Sequence, residues 1–260
     1  MPVVTAAPHR EGVRFGVSVI NFWELGRPAC IREIARRAEA SGWDGLFTWD
    51  HVLPHWSGLD AYDPWVLLAG AACTTERILL GTNVTPVPRR RPHVLANQVA
   101  TLDELSDGRA VLGVGIGGDV EELRRLGEVI DPVVRGDLLD AGLETIRRRW
   151  PGRIWVGGDS GRARRRAARW DGWTTGLLTD ERGTRGVTPE VFAAKLAPVL
   201  AGRTGEEPFD VVVEGYSDPD DAAMVAEYAD AGATWWLDSI NGYRAEVPDL
   251  LARIDAGPPR

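Results

Sequence analysis

Asp50 and His51 are adjacent, and together they carry the clearest acid–base signature in the chain. An imidazole titrates near neutrality and can take or give a proton at working pH. A neighbouring carboxylate favours its charged form. The same pair also reads as a polar turn that ends a strand and caps the next segment, and the residues alone leave both readings open. His55 follows at a spacing that suggests a metal pair, but Pro54 interrupts the helix that would align two rings. No metal site is expected. Nor is a thiol nucleophile: Cys30 and Cys73 sit in apolar helical patterns with no base near them in sequence. They read as buried free thiols in a reducing cytoplasm.

Two glycine clusters could bring backbone close to a ligand. Gly113 to Gly118 formally matches the dinucleotide fingerprint G-x-G-x-x-G. A Rossmann unit normally opens a domain, whereas three strand–helix units precede this one. The expectation is therefore that Gly115, Ile116 and Gly117 admit a flat cofactor against the backbone; tight strand-to-helix packing is the other reading. Further on, Gly157, Gly158, Ser160 and Gly161 lead into a helical pattern. Exposed N–H groups at a helix start favour an anion, so this turn is expected to hold a phosphate through its backbone and Ser160. Arg162, Arg164, Arg165 and Arg166 mostly read as a solvated face.

These residues need a frame to bring them together. Short apolar, β-branched runs recur at residues 14–20, 45–49, 78–84, 110–116, 153–156, 172–178, 209–214 and 234–238. Helix-period stretches separate them at 29–40, 64–73, 93–105, 138–149, 162–168, 189–200 and 219–231. Continuous apolar strands alternating with helices predict a parallel sheet covered on both faces. Eight such units within 260 residues favour an α/β single domain, a closed (β/α)8 TIM barrel. Residues 1–12 read as a flexible N-terminal segment and 13–256 as the barrel. In a parallel barrel, functional groups follow the strands, and those positions are polar or glycine-rich here: Asn21-Phe22-Trp23, Asp50-His51, Asn83-Val84-Thr85 and the two glycine turns.

The formal charge of −8 lacks the basic face that nucleic-acid binding needs. It also suits neither an anionic membrane nor its surface. No stretch has the roughly 18 apolar residues of a membrane span, and residues 1–12 do not resemble a signal peptide.

From Leu80 the chain reads Leu-Gly-Thr-Asn-Val-Thr-Pro, then Arg91-Pro92, then Ala100-Thr-Leu-Asp, then Ser106-Asp-Gly-Arg-Ala-Val-Leu-Gly-Val-Gly-Ile-Gly. Trp49-Asp50-His51 precedes these motifs; Trp155-Val-Gly-Gly and Asp171-Gly172-Trp173 follow them. In this order, from Phe15 to Ile240, they resemble the luciferase-like monooxygenase superfamily of flavin- and F420-dependent oxidoreductases. The resemblance implies a (β/α)8 barrel that seats FMN or the deazaflavin F420 at the strand ends. It implies a bulge in the third strand, often with a non-proline cis peptide, which by position is Asn83-Val84, with Thr85 beside it. The glycine turn at Gly157 resembles the family's phosphate-binding turn.

Asp50, His51 and Trp56 fit the F420-dependent branch, with His51 in the acid–base position and Trp23 and Trp56 lining the substrate pocket. The activity implied is hydride transfer to or from a small organic substrate. The alternatives are an FMN monooxygenase served by a flavin reductase and a non-catalytic flavin-binding barrel. A homodimer is the expected assembly.

Two departures matter. F420-dependent sugar-phosphate dehydrogenases place a glutamate after the fourth-strand glycines, where this chain has Gly118 and then Asp119. The segment between the fourth and fifth strands, 119–151, holds little more than one or two helices where relatives insert a longer cover. That implies an open pocket, a partner chain as lid, or lost activity.

Overall fold

The computed structural model describes residues 12–54, 61–177 and 186–260. The described residues form eight parallel strands: β1 (Arg14–Val19), β2 (Gly45–Thr48), β3 (Leu79–Pro86), β4 (Ala110–Gly115), β5 (Arg153–Gly157), β6 (Gly172–Gly176), β7 (Asp210–Gly215) and β8 (Trp235–Ile240). They pair in sequence order and close, β8 against β1, as the TIM barrel expected. Around them lie α1 (Pro28–Ala40), α2 (Pro64–Ala72), α3 (Pro92–Leu105), α4 (Val120–Arg125), α5 (Pro132–Arg149), α6 (Gly161–Ala167), α7 (Pro189–Ala201), α8 (Ala222–Asp230) and α9 (Val247–Asp255).

Helix starts follow capping chemistry. Asp63, Asp131 and Thr188 each accept backbone N–H bonds at the first turn, and each is followed by a proline, whose missing N–H costs nothing there. The Asp131-Pro132 start makes α5 six residues longer than the apolar period at 138–149 suggests. The helix α9 has no counterpart among the expected elements; its buried Leu250 and Ile254 pack on the outer core. The expected N-terminal segment, apart from Gly12, lies outside the described residues, as does the far end of the sixth expected strand.

Strand residues alternate between the outer core and the barrel lumen. The lumen near the strand starts is plugged by Phe47, Val111, Trp155, Val212, Trp235 and Leu237. Trp155 stands 4.9 Å from Phe47 and 5.4 Å from Trp235, ring centre to ring centre. Both indoles donate to Asp210, at 2.8 and 3.1 Å. The bulk fits because glycines face it: a Cβ on Gly16 would fall 2.7 Å from Leu237, and one on Gly172 only 2.5 Å from Trp155. One step further along each strand the inward positions become small or polar. Ser18, Asn83, Gly115, Gly157, Thr174, Glu214 and Ser239 face the mouth, which the plug closes from below. Among the described residues no helix is long and apolar enough to cross a membrane.

Candidate active site

The cleft lies at the C-terminal mouth, over β3 to β7. It has a volume of about 380 Å³ and is lined by Asn83, Val84, Gly115, Ile116, Gly117, Gly118, Gly157, Gly158, Asp159, Thr174, Thr175, Gly176 and Glu214. The β3–β4 register slips between Thr82 and Thr85, and the Asn83–Val84 peptide bond within that bulge is cis. Gly113 allows the tight β3–β4 approach, since its Cβ would sit 2.0 Å from the Thr82 carbonyl oxygen.

The bulge presents Val84 to the cleft, and the glycines make room for it. Added Cβ atoms on Gly115 and Gly157 would stand 2.9 and 3.1 Å from Val84. These two glycines thus leave room for the valine that floors the cleft, and both also line it. Gly118 and Gly176 do face open space. Gly117 and Gly158 have φ of +81° and +116°, values that side-chain-bearing residues avoid. The strand ends are therefore shaped by backbone requirements that only glycine meets.

Other expected contacts fall elsewhere. Thr85 is buried, and its hydroxyl bonds to Thr82 rather than facing the cleft. Ser160 accepts from Ala163 N at 3.1 Å, which spends its oxygen on the α6 cap, and neither it nor Gly161 lines the cleft. Of the arginines that follow, Arg162 pairs with Asp137 and Arg166 with Asp140. Asp159 lines the cleft and binds Lys195, the chain's single lysine, while Thr175 donates to it at 2.6 Å. Trp23 adopts φ 54° and packs edge-on against Phe22 and Tyr243, at 5.2 and 5.1 Å. It does not line this cleft. Trp56 and His55 lie outside the described residues.

The partner of His51 is not the neighbouring Asp50. The Asp50 side chain is fully buried in a two-point ion pair with Arg90, at 3.0 and 2.7 Å, which ties the end of β2 to the start of α3. Successive residues past a strand point to opposite sides, so the two neighbours cannot share one partner. His51 instead meets Glu122 of α4, Nδ1 to Oε2 at 3.0 Å.

Glu122 is heavily supplied with donors. Its Oε1 accepts the N–H groups of Val52 and Leu53 at 2.7 and 2.8 Å, and its Oε2 also accepts from Arg89 at 2.9 Å. Burial pushes its pKa up, but His51, these amides and the surrounding charge outweigh that and lower it to about 2. Glu122 is therefore ionised and can only accept, so Nδ1 of His51 donates to it.

The network continues toward the cleft. Arg89 holds Glu128, Glu128 holds Arg135, and Arg135 donates to the Ile116 carbonyl on the cleft's edge. Asn21, at the end of β1, fixes the His51 backbone with its amide donating to the His51 carbonyl at 2.8 Å. The short β4–β5 segment, α4 and α5, is thus what positions the histidine. Asp119 also lies near His51 and Glu122, with one ligand atom of each within 4.8 Å of the others. Asp119 caps α4 and Glu122 is engaged by four donors, so this cluster carries no metal reading.

Both thiols are free, but only Cys30 is partly buried; Cys73 is exposed, because it follows the last turn of α2 instead of lying on its inner face.

The chain belongs to the luciferase-like monooxygenase family, whose sequence profile matches residues 1–256. It is 31% identical over 236 residues to the F420-dependent hydroxymycolic acid dehydrogenase of Mycobacterium tuberculosis, covering 87% of this chain and 59% of that one. It is 46% identical over 88 residues to an F420-dependent glucose-6-phosphate dehydrogenase of Beutenbergia cavernae, covering 33% and 26%. The chain thus spans less than two thirds of these curated relatives. Its fold matches the F420-dependent tetrahydromethanopterin reductase of Methanopyrus kandleri with a TM-score of 0.72 and 16% identity, covering 94% and 97%.

Proposed function

We propose that this chain is an F420-dependent oxidoreductase that passes hydride to or from a small organic substrate. One observation carries the reading: a histidine oriented by a buried, ionised carboxylate stands at the end of β2, on the rim that also carries the Val84-floored cleft. The relatives named above, both called F420-dependent dehydrogenases, support it.

The cleft suits a planar group. Its floor is one apolar side chain flanked by glycine backbone, and Gly118 and Gly176 leave open space at its edges. Val84, Ile116, Gly157 and Gly158 would hold the cofactor, which when bound supplies a hydride carrier at C5. The chain's own residues supply the proton chemistry. His51 Nε2 takes the hydroxyl proton of an alcohol as it is oxidised, and the imidazolium returns it in the reverse direction. Glu122 stabilises that imidazolium and keeps the ring in one orientation. Arg89 and the two amides keep Glu122 from taking the proton itself.

Titration with F420 and FMN, followed by fluorescence, tests the cofactor. F420 is expected to bind; binding of FMN alone would instead favour the monooxygenase supplied by a reductase. His51→Ala should keep F420 affinity within about threefold while lowering turnover by on the order of 10²-fold or more. Unchanged turnover would end the acid–base role of His51.

The assembly we propose is a homodimer through the α2–α3 face. A groove of about 430 Å³ there is lined by Trp65, Val66, Val94, Leu102 and Leu105, with Val66 70% exposed. A second copy would bury this apolar surface. Val66→Glu should then shift the sedimentation profile from dimer to monomer, and a wild-type monomer would sink the idea. The free thiols accord with a cytoplasmic location.

A further inference from the structure

Arg135 holds the cleft from behind. Asp131 caps α5 and Pro132 opens it, so Arg135 enters the helix near its N-terminus. That end of the helix dipole is positive and disfavours a cation, and the side chain is buried. Burial pulls its pKa below the usual arginine value, with Glu128 the main opposing group. Its guanidinium serves the β4 turn nonetheless. Nε donates to the Ile116 carbonyl at 2.5 Å, and Nη1 donates to the Val129 carbonyl at 3.0 Å and to Glu128 Oε2 at 3.3 Å. Nη2 makes no bond and packs beneath Gly117, 2.6 Å from where a Cβ would stand. Ile116, Gly117 and Gly118 line the cleft.

Glu128 joins this support to the histidine. Its Oε1 accepts from Arg89 Nε at 3.0 Å, and Arg89 Nη2 donates to Glu122 Oε2 at 2.9 Å. That same oxygen meets His51 Nδ1. Charges alternate along the path, and the Arg89, Glu122 and Arg135 side chains are at most 6% exposed. Such pairs are weak evidence of stability, because desolvation offsets their attraction. What they fix is the relative position of the groups they join. Alcohol oxidation needs that position fixed. Hydride leaves the carbinol carbon and the proton leaves the oxygen bonded to it, so the cofactor and His51 must serve adjacent atoms. A misplacement of about 1 Å can cost on the order of 10²-fold in rate.

We propose that Arg135 and Glu128 are positioning residues of the active site: Arg135 holds the cleft wall at residues 116–118, and Glu128, shared with Arg89, keeps that wall at a fixed separation from His51. This rests on the cofactor reading above, since the wall matters to the reaction only if the hydride carrier lies against it. Neither residue touches the reacting atoms. Each acts through another group, Arg135 through the Ile116 carbonyl and Glu128 through Arg89 and Glu122.

Three measurements test it, and two need no cofactor. In the unliganded protein, NMR backbone order parameters at residues 116–118 should fall from about 0.85 in wild type to below about 0.6 in Arg135→Met, with β5 unchanged. The His51 imidazole signals, assigned by their loss in His51→Ala, should move in Arg135→Met. The same substitution made in a Glu128→Gln background should leave them where Glu128→Gln alone puts them, because the tie is already cut. The third measurement is F420 affinity. It should weaken about tenfold in Arg135→Met and return to within about threefold of wild type in Arg135→Lys, which keeps the charge and a donor for the Ile116 carbonyl. A role in stability alone would lower the thermal midpoint without the local loosening or the rescue. Should Arg135→Met fail to fold, Glu128→Gln carries the test, since it too should loosen residues 116–118 and move the His51 signals. The proposal is overturned by unchanged order parameters at residues 116–118, by Arg135→Lys binding F420 as weakly as Arg135→Met, or by His51 signals that move equally in both backgrounds. If the wall loosens as expected and yet wild type binds neither F420 nor FMN, the cofactor reading has failed and the spacing role goes with it. Unchanged order parameters alongside intact F420 binding remove the Arg135 and Glu128 proposal alone.

Discussion

Glu122 joins three parts of the rim through one carboxylate, which His51, two backbone amides and Arg89 all contact. Its pKa of about 2 lies below the value of about 4.3 expected for an unfolded chain. A group whose pKa falls on folding stabilises the protein above its unfolded pKa and loses that contribution as pH drops through the folded value. Glu122 is thus expected to contribute on the order of 2–3 kcal/mol at neutral pH, fading between about pH 4.5 and pH 2. In denaturant unfolding, Glu122→Gln should be less stable than wild type at pH 7, and the gap should narrow near pH 3. A constant gap would show that charge is not the cause. The same variant should lower turnover, since His51 loses the acceptor that orients it. Asp50 is a positioning residue for the same rim. Asp50→Ala removes the two-point ion pair of the half-buried Arg90, which keeps only Asp63 at 3.7 Å, and should cost about 1–3 kcal/mol, seen as a lower denaturation midpoint. Loss of turnover with unchanged stability would restore Asp50 to the acid–base role.

At the level of elements, the β3 bulge and the glycines of β4 and β5 act as one fitting. Val84 projects from the bulge, and Gly115 and Gly157 yield the space it needs. Gly115→Ala sets a methyl group 2.9 Å from Val84 Cγ2, closer than real contacts run, so the floor must shift. It should weaken F420 binding by on the order of tenfold with a loss of about 1–3 kcal/mol in stability. Gly118→Ala, which meets nothing within 4 Å, should leave stability within about 0.5 kcal/mol. Equal effects of the two on binding and unfolding would mean that the glycines do not work through Val84. The short β4–β5 segment serves the rim directly, since α4 supplies Glu122 and α5 supplies Arg135, which reaches back to Ile116. Deleting α4 is therefore expected to disorder His51 rather than merely widen the mouth.

Across the whole molecule, the barrel separates stability from chemistry along its axis. The aromatic plug of Phe47, Trp155 and Trp235 fills the lumen near the strand starts, and the small polar layer sits at the mouth. Phe47→Ala removes a ring that packs on both tryptophans and should cost about 3–5 kcal/mol, lowering the thermal midpoint, while F420 affinity at low temperature stays within about threefold. A large loss of affinity in a folded Phe47→Ala protein would show that plug and mouth are coupled. This division also explains how far pattern alone could reach. Every strand shows in the apolar runs, because burial on both faces demands continuous apolar residues. The Asp131-Pro132 start of α5 is a capping signal that the apolar period at 138–149 misses. Glu214 leaves a faint trace in sequence: a carboxylate at an inward position of a valine strand.

The order of residues along the chain by itself determined the closed (β/α)8 architecture and the presence of His51 just past a strand, since these follow from periodicity, while the Asn83-Val84 bulge was implied by the family resemblance. Only the tertiary structure decided which acid serves which base. His51 reaches across 71 positions to Glu122, while its neighbour Asp50 turns away to Arg90. It likewise placed Glu214 beside Asn83, 131 positions apart. Adjacent residues at a strand end point to opposite sides, so chain proximity works against pairing there. Barrel closure brings distant strand ends within hydrogen-bond reach, a relation that no local pattern records.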